Sequence, residues 1–364
     1  MNNKSQKGRV LVAMSGGVDS SVAAILLQEQ GYELVGITMK VWDYESSCSS
    51  IKESGCCSLD AVNDARKVAV NLGFPHYTLD LKKEFEEKVI SNFIYEYMNA
   101  RTPNPCVLCN KLMKWEDLLQ KADELDCQFI ATGHYARIAF ENERYFLRKG
   151  LDDNKDQTYV LWGLSQRHLS RTIFPLGSYH KKDIKQLAQK HGLTRIAEKS
   201  ESYEICFIPD NDYRGFLKRR VAGLEAKVDG GNFLDENGKI LGKHHGYPFY
   251  TIGQRKGLEV AVGHPLYVKA INAAENTVVL AERESLLQAE LYADQINLMK
   301  YADIAEMKGV VSRIRYKDKG ALSTLKKQDD MIHVLFDEPV AAVTPGQSVV
   351  FYEGDDVIGG GIIK

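Results

Sequence analysis

Short apolar runs alternate with amphipathic stretches over the first two hundred residues. RVLVAM (9–14) is an apolar, β-branched run that turns abruptly into Ser-Gly-Gly. The following SVAAILLQEQGYE is apolar on one side and closes at Gly31, which predicts a helix after a first strand. ELVGITMKVW (33–42) predicts a second strand, LDAVNDARKVAVNLG (59–73) a helix that stops on Gly73, and FPHYTLD (74–80) a third strand. FEEKVISNFIYEYMNA (85–100) and KWEDLLQKADELDC (114–127) predict two more helices, and FIATGHYA (129–136) a strand ending in Gly-His. Such alternation predicts an α/β domain: a mostly parallel sheet with helices on both faces.

After about residue 210 the pattern changes. Residues 223–263 hold many glycines and short strand-like pieces with no long helical period. PLYVKAINAAENTVVLA (265–281) predicts a hairpin around Ala-Glu-Asn, a helical piece is expected near 282–289, and successive strands run to Lys364. The domains expected are an α/β catalytic domain at 1–212, a small central domain at 213–282 and a β-barrel-like domain at 283–364.

Composition sharpens this only in part. A chain of 364 residues fits two or three domains. Hydrophobic residues at 44% and charged residues at 26% are globular values and argue against extensive disorder. The formal charge of -2 excludes a uniformly basic nucleic-acid coat, but not a local basic face. One such face is visible: Lys308, Arg313, Arg315, Lys317, Lys319, Lys326 and Lys327 share a stretch with one acid, Asp318. No run approaches the ~18 apolar residues of a membrane span. The apolar run at 9–14 reads as a strand entering a site rather than as a signal peptide, so a cytoplasmic protein is expected.

SGGVDSS (15–21) lies between the first strand and the first helix. Two glycines let the backbone approach an anion, the helix N-terminus offers free N–H groups, and Ser15, Ser20 and Ser21 add hydroxyls. Asp19 repels phosphate, so it is expected to hold Mg²⁺ or to fix the loop. The motif is neither the Lys-containing phosphate loop nor the dinucleotide GxGxxG. The alternative is an ordinary Gly turn capped by Ser or Asp.

Seven cysteines, at 48, 56, 57, 106, 109, 127 and 206, are too few for a disulfide scaffold in this length. Cys106 and Cys109 sit in NPCVLCN (104–110). A Cys-x-x-Cys pair can mean redox exchange, half a metal site, or two thiols that happen to be neighbours. Cys206 could add a zinc ligand and Cys56, Cys57 or His134 another. A three-cysteine iron–sulfur cluster on Cys106, Cys109 and Cys206 is also chemically open.

The heptamer SGGVDSS matches the pyrophosphate loop of the PP-loop ATPases, which split ATP between its α and β phosphates. Together with NPCVLCNKLMKW, ATGHYAR (131–137), KDQTYVLW (155–162), GKHHGYPFYTIGQRKGL (242–258) and FDEPVAAVTPGQSVVFYEGD (336–355), the chain resembles the bacterial tRNA-specific 2-thiouridylases over residues 9–363. The resemblance implies ATP and Mg²⁺ as cofactors, the tRNAs for Lys, Glu and Gln as substrates, and a sulfur-carrier protein or cysteine desulfurase as partner, with no membrane. It implies that ATP adenylates O2 of the wobble uridine and that a cysteine persulfide supplies sulfur to C2. Cys109 then corresponds to the nucleophile and Cys206 to the persulfide carrier, and the two close a transient disulfide. ATP contacts carry over to Ala13, Met14, Ser15, Gly16, Gly17, Val18, Asp19, Ser20, Met39 and Gly133. Asn104, Pro105 and Cys106 carry over to the target base, and His134, Lys155, Asp156, Gln157, Arg315, Tyr316 and Gln347 to the tRNA.

Two positions depart from the family. Many members carry Asp where this chain has Cys106, and a thiol cannot replace a carboxylate unless it is activated. The family's Asp-Ser-Thr-Gly-Ile-Cys reads Glu201-Ser202-Tyr203-Glu204-Ile205-Cys206 here. Neither change removes a required thiol.

Overall fold

The computed structural model describes residues 7–42, 59–199 and 205–364. Cys48, Cys56, Cys57 and the departures at Glu201, Tyr203 and Glu204 lie outside the described residues. The chain forms two compact units: one holds residues 1–89, 106–211 and 355–357, the other 90–105, 212–354 and 358–364.

In chain order the elements begin with β1 (Arg9–Ala13), α1 (Val18–Glu29), β2 (Glu33–Lys40), α2 (Leu59–Leu72), β3 (His76–Asp80), α3 (Lys82–Phe85), α4 (Ser91–Met98), α5 (Pro105–Cys109) and α6 (Glu116–Glu124). Then come β4 (Phe129–Ala131), β5 (Ala136–Glu141), β6 (Arg144–Lys149), α7 (Gln166–Ser170), β7 (Thr172–Ile173), α8 (Lys181–Lys190) and α9 (Thr194–Ala197). The remainder is α10 (Tyr213–Arg220), α11 (Leu224–Val228), β8 (Gly231–Leu234), β9 (Ile240–His244), β10 (Tyr267–Asn272) and β11 (Thr277–Ala281), followed by β12 (Leu287–Leu298), β13 (Glu306–Arg313), β14 (Ala321–Gln328), β15 (Met331–Ala341), β16 (Ser348–Glu353) and β17 (Asp356–Ile363).

The first unit is the α/β domain that the alternation predicts. Its sheet runs β3-β2-β1-β4-β7, and every pairing is parallel. β1 pairs along both edges with β2 and β4, α1 and α6 pack on it, and Val10, Leu11 and Val12 are fully buried. That is why the strand reads as a continuous apolar run and not as an alternation. Each such side chain contributes about 1.5–3 kcal/mol by leaving water. α1 is apolar on most sides because β1 and β2, α2 and α8 all pack on it, and Val22, Leu26 and Leu27 share a core with Ile184 and Ala188 of α8. Gly31, at φ +91, ends this segment in a conformation open to glycine.

Strand order reverses at β1, with β2 on one side and β4 on the other. In open parallel sheets the crevice beyond the strand C-termini at such a switch is where ligands bind. The loop 14–17 lies there.

FIATGHYA does not form one strand. β4 ends at Ala131, Thr132–Tyr135 leave the ladder, and Ala136 opens the antiparallel hairpin β5–β6. Gly133, at the break, passes close to the start of α1: a Cβ there would stand 2.8 Å from the backbone of Asp19 and Ser20. The helix expected at 282–289 is a 3-10 turn, Arg283–Leu286, and β12 starts at Leu287. A single turn cannot hold a helical face, whereas β12 gains two neighbours, β15 and β17.

The second unit carries a four-stranded sheet, β10-β11-β8-β9, in which β10–β11 is the predicted hairpin. It also carries a barrel-like sheet, β12-β15-β14-β13-β16-β17, closed by pairing of β17 with β12. Closure leaves no free edge. Its core gathers Leu291, Leu325, Val334, Val349, Phe351 and Ile358. α4 joins this unit through Phe93 against Phe216 (5.9 Å, edge-on) and Tyr97 stacked on Tyr213 (4.8 Å).

Candidate functional site

The loop after β1 is built from its own hydroxyls. Met14, at the strand end, donates its N–H to Ile37, and its carbonyl accepts from the Thr38 hydroxyl at 2.7 Å. The Ser15 N–H donates to Ser20 Oγ at 3.1 Å, and the Gly17 carbonyl accepts from the hydroxyls of Ser20 and Ser21 at 3.2 and 2.9 Å. Ser20 and Ser21 are buried, so two of the hydroxyls expected to face an anion hold the turn itself.

The two glycines differ in what they do. Gly16 has φ +70, and a Cβ there would lie 2.1 Å from the carbonyl oxygen of Ala61 on α2. Gly17 is extended (φ -92), and a Cβ there would meet only Ser15 Oγ, at 3.4 Å. Gly16 is required for packing, and Gly17 keeps open space at the uncapped N-terminus of α1. Free N–H groups and the positive helix end at that place suit a phosphate.

Asp19, in the first turn of α1, accepts from the Tyr135 hydroxyl at 2.7 Å, and the Lys181 ammonium lies 2.7 Å from both its oxygens. Fixing of the loop, one of the two roles expected of Asp19, is therefore carried by these partners. Among the described residues no three His, Cys, Asp or Glu side chains are grouped to hold a metal ion. A single carboxylate beside a helix N-terminus suits Mg²⁺, which is commonly held by one or two carboxylates together with substrate phosphates. Met39, next to last in β2, is half-buried at the same sheet edge.

The cysteines sit on two supports. Cys109 is the last residue of α5, half-buried, and a π-helical stretch, Asn110–Trp115, follows it. Asn110 donates its side-chain amide to the Val160 carbonyl at 2.9 Å, and Trp115, fully buried, donates to Thr172 Oγ1 at 2.8 Å. These bonds fix what lies directly behind Cys109. Cys206 is half-buried, and its neighbour Phe207 is wedged between Trp42 (6.2 Å) and Phe85 (5.6 Å, edge-on). Trp42 lies just past β2, so Phe207 ties Cys206 to the C-terminal edge of the sheet.

Cys106 is exposed, yet the protein around it raises the pKa of its thiol, with the Lys114 ammonium opposing. Exposure governs access and the raised pKa governs protonation, so Cys106 is a reachable neutral thiol at pH 7 and no substitute for a carboxylate. His134 bonds Thr132 Oγ1 through Nδ1 at 2.7 Å. Burial first, then Lys114, hold its imidazole well below the ordinary value, although part of its surface stays accessible. A neutral ring there can both donate and accept.

Several positions expected to meet tRNA have partners inside the protein. Asp156 is buried and accepts from Gly150 N–H (3.2 Å), Thr158 N–H (3.4 Å) and the Thr158 hydroxyl (2.8 Å). Gln157 makes two 3.0 Å bonds with the backbone of Tyr135. Together they set the turn that presents Lys155. Asp156→Ala should cost about 1–3 kcal/mol by stranding these donors, read as a lower denaturant midpoint. In the second unit, Gln347 donates to the carbonyls of Thr102 and Pro103 at 3.1 and 2.9 Å and so holds the approach to Asn104 and Pro105. Arg315 is exposed but donates to the Ala342 carbonyl at 2.7 Å, and Tyr316 is exposed beside it. Lys181, Tyr135, Trp42, Phe85 and Phe207 were not singled out by the sequence, because their partners lie far along the chain.

A five-stranded parallel sheet with SGGVDSS at its switch point defines a PP-loop nucleotide-binding domain. Three family descriptions match in succession: "tRNA methyl transferase HUP domain" over residues 8–210, "tRNA methyl transferase PRC-barrel domain" over 214–282, and "Aminomethyltransferase beta-barrel domain" over 288–363. The tRNA-specific 2-thiouridylase MnmA of Cytophaga hutchinsonii is 57% identical over 99% of this chain and 98% of its own length. The proteins of that name from Amoebophilus asiaticus and Salinibacter ruber are 57% and 54% identical, over 99% of this chain and 96% and 95% of their own. The chain belongs to the bacterial tRNA-specific 2-thiouridylase family, the tRNA-uridine 2-sulfurtransferases, whose chemistry is ATP-dependent sulfur transfer. No helix among the described residues is long and apolar enough to cross a membrane.

Proposed function

We propose that this chain 2-thiolates the wobble uridine of the tRNAs for Lys, Glu and Gln in the cytoplasm. The observation that carries the reading is the pairing of an open, uncapped helix N-terminus at Gly17 with two accessible thiols, Cys109 and Cys206, in one α/β unit. Residues 1–212 do the chemistry, and 213–282 and 283–364 grip the tRNA.

The loop Ala13–Ser20, with Met39 and Gly133, binds ATP with its α-phosphate toward the base. The uridine O2 attacks that phosphorus, pyrophosphate leaves, and O2 becomes part of a good leaving group. The terminal sulfur of a Cys206 persulfide then attacks C2. Cys109, as thiolate, attacks the inner sulfur of the persulfide, the S–S bond breaks, and AMP departs with the former O2. The transferred sulfur gains two electrons, and Cys109 and Cys206 supply them by forming a disulfide, which a cellular thiol reduces. Mg²⁺, when bound, neutralises phosphate charge, and Asp19 is the residue that would hold it. A sulfur-carrier protein or a cysteine desulfurase reloads Cys206. Asn104, Pro105 and Cys106 face the splayed base, His134 and Lys155 the surrounding nucleotides, and Arg315 and Tyr316 a more distant part of the tRNA.

In multiple turnover, AMP and pyrophosphate should be released one for one with 2-thiouridine, and AMP only when tRNA and a sulfur donor are both present. Separation of the products by ion-exchange chromatography reads this. ATP binding without cleavage under full conditions would instead indicate an ATP-gated tRNA-binding protein with inert thiols.

A further inference from the structure

The buried residues of α2 are alanine and valine (Ala61, Val62, Ala65, Val68 and Ala69) except for Asp64, which is 4% exposed. Its carboxylate pairs with the Lys199 ammonium across 135 positions. A buried carboxylate is costly unless a charge answers it. Apolar groups in place of such a pair are often as stabilising or more so, so stability alone does not call for an ion pair in this row.

The pair joins two segments that the reaction uses. Ala61, one turn before Asp64, backs the phosphate loop, since a Cβ on Gly16 would lie 2.1 Å from its carbonyl oxygen. Lys199 follows α9, whose Ile196 and Ala197 share a core with Ala65 and Val68 of α2. Cys206 comes seven positions after Lys199. Just beyond it Phe207 is held between Trp42 and Phe85. The Cys206 segment is thus anchored on both sides. Apolar contacts tolerate small slips, whereas a charge-assisted hydrogen bond fixes direction and register. We propose that Asp64 is a positioning residue for sulfur transfer: through Lys199 it sets the Cys206 segment in register with the phosphate loop. This rests on the reading of Cys206 as the sulfur carrier.

The test is single-turnover thiolation of substrate tRNA, at saturating Mg²⁺-ATP, by the full chain preloaded with inorganic polysulfide. It compares wild type, Asp64→Asn, Lys199→Met, Lys199→Arg and the Asp64→Asn/Lys199→Met double variant. A reacting group displaced by about 1 Å can lose about 100-fold in rate, so Asp64→Asn and Lys199→Met should each slow transfer by about 10- to 100-fold. The double variant should lose no more than either single one, because all three remove the same contact. It also holds no unanswered buried charge, and so keeps the readout if Lys199→Met alone unfolds. Lys199→Arg keeps the ion pair and should recover most of the rate. The persulfide on Cys206, read by mass, and the affinity for Mg²⁺-ATP, read by calorimetry, should match wild type throughout. Wild-type transfer in Asp64→Asn or in the double variant would overturn the proposal. A loss of transfer matched by an equal loss of ATP affinity would also overturn it, leaving the pair as a support of the fold. Wild type that takes up no sulfur on Cys206 would overturn the sulfur-carrier reading instead.

Discussion

Replacing Cys206 with serine is expected to lower 2-thiouridine formation by about 10³-fold or more, with ATP affinity unchanged. A hydroxyl cannot carry a transferable sulfur. Cys109→Ser is expected to give the same loss for a different reason: the persulfide forms, but nothing resolves it. The two variants separate by mass. Cys109 variants incubated with a sulfur donor should hold one extra sulfur on Cys206, and Cys206 variants should hold none. A Cys109 or Cys206 variant that thiolates tRNA at the normal rate would remove that residue from the mechanism. Cys106→Ser should be mild, less than about tenfold, because its neutral thiol is neither the nucleophile nor the sulfur carrier in this account.

The second large effect separates the two glycines. Gly16→Ala should destabilise the first unit and abolish ATP binding. Its φ of +70 costs a side-chain-bearing residue about 1–2 kcal/mol, and the new Cβ would sit 2.1 Å from the Ala61 carbonyl oxygen, a backbone atom that cannot rotate away. Overpacking of that kind adds about 1–3 kcal/mol. Gly17→Ala should behave otherwise, since its backbone is extended and a Cβ has room. Its stability should stay within about 0.5 kcal/mol of wild type. ATP affinity should nevertheless fall about tenfold or more, because the methyl group occupies the space the phosphate needs. Thermal unfolding and calorimetric titration of both variants decide it. A Gly17→Ala protein that binds ATP like wild type would place the nucleotide elsewhere.

Much of the site was legible in the sequence because it is written in contiguous residues. The phosphate loop, the NPCVLCN pair and the parallel alternation around them each depend on neighbours a few positions apart. What was not legible depends on distance along the chain. Lys181 meets Asp19 across 162 positions, and Gln347 meets Pro103 across 244. Nothing in KKDIKQLAQK marks its first lysines as different from an exposed pair. Burial by α1 makes the difference, and burial is a property of the packed fold. The strand expected across FIATGHYA failed for a related reason. Its apolar residues favour extension, but the run is divided between two sheets, β4 at one end and the β5–β6 hairpin at the other, with Gly133 passing close to Asp19 between them. The basic run at 308–327 was legible as charge but not as geometry: Lys327 pairs with Asp303 at 2.7 Å, and Arg313 lies 4.7 Å over the Tyr352 ring. Both cations thus already have partners within the second unit.

The most direct test is mass spectrometry of the nucleosides in tRNA from a strain lacking this gene, carrying back either the wild-type chain or a Cys109→Ser or Cys206→Ser chain. The account predicts that 2-thiouridine derivatives disappear from the tRNAs for Lys, Glu and Gln, that other thiolated bases persist, and that only the wild-type chain restores the loss. Normal 2-thiouridine in the deletion strain, or its restoration by either serine variant, would contradict it.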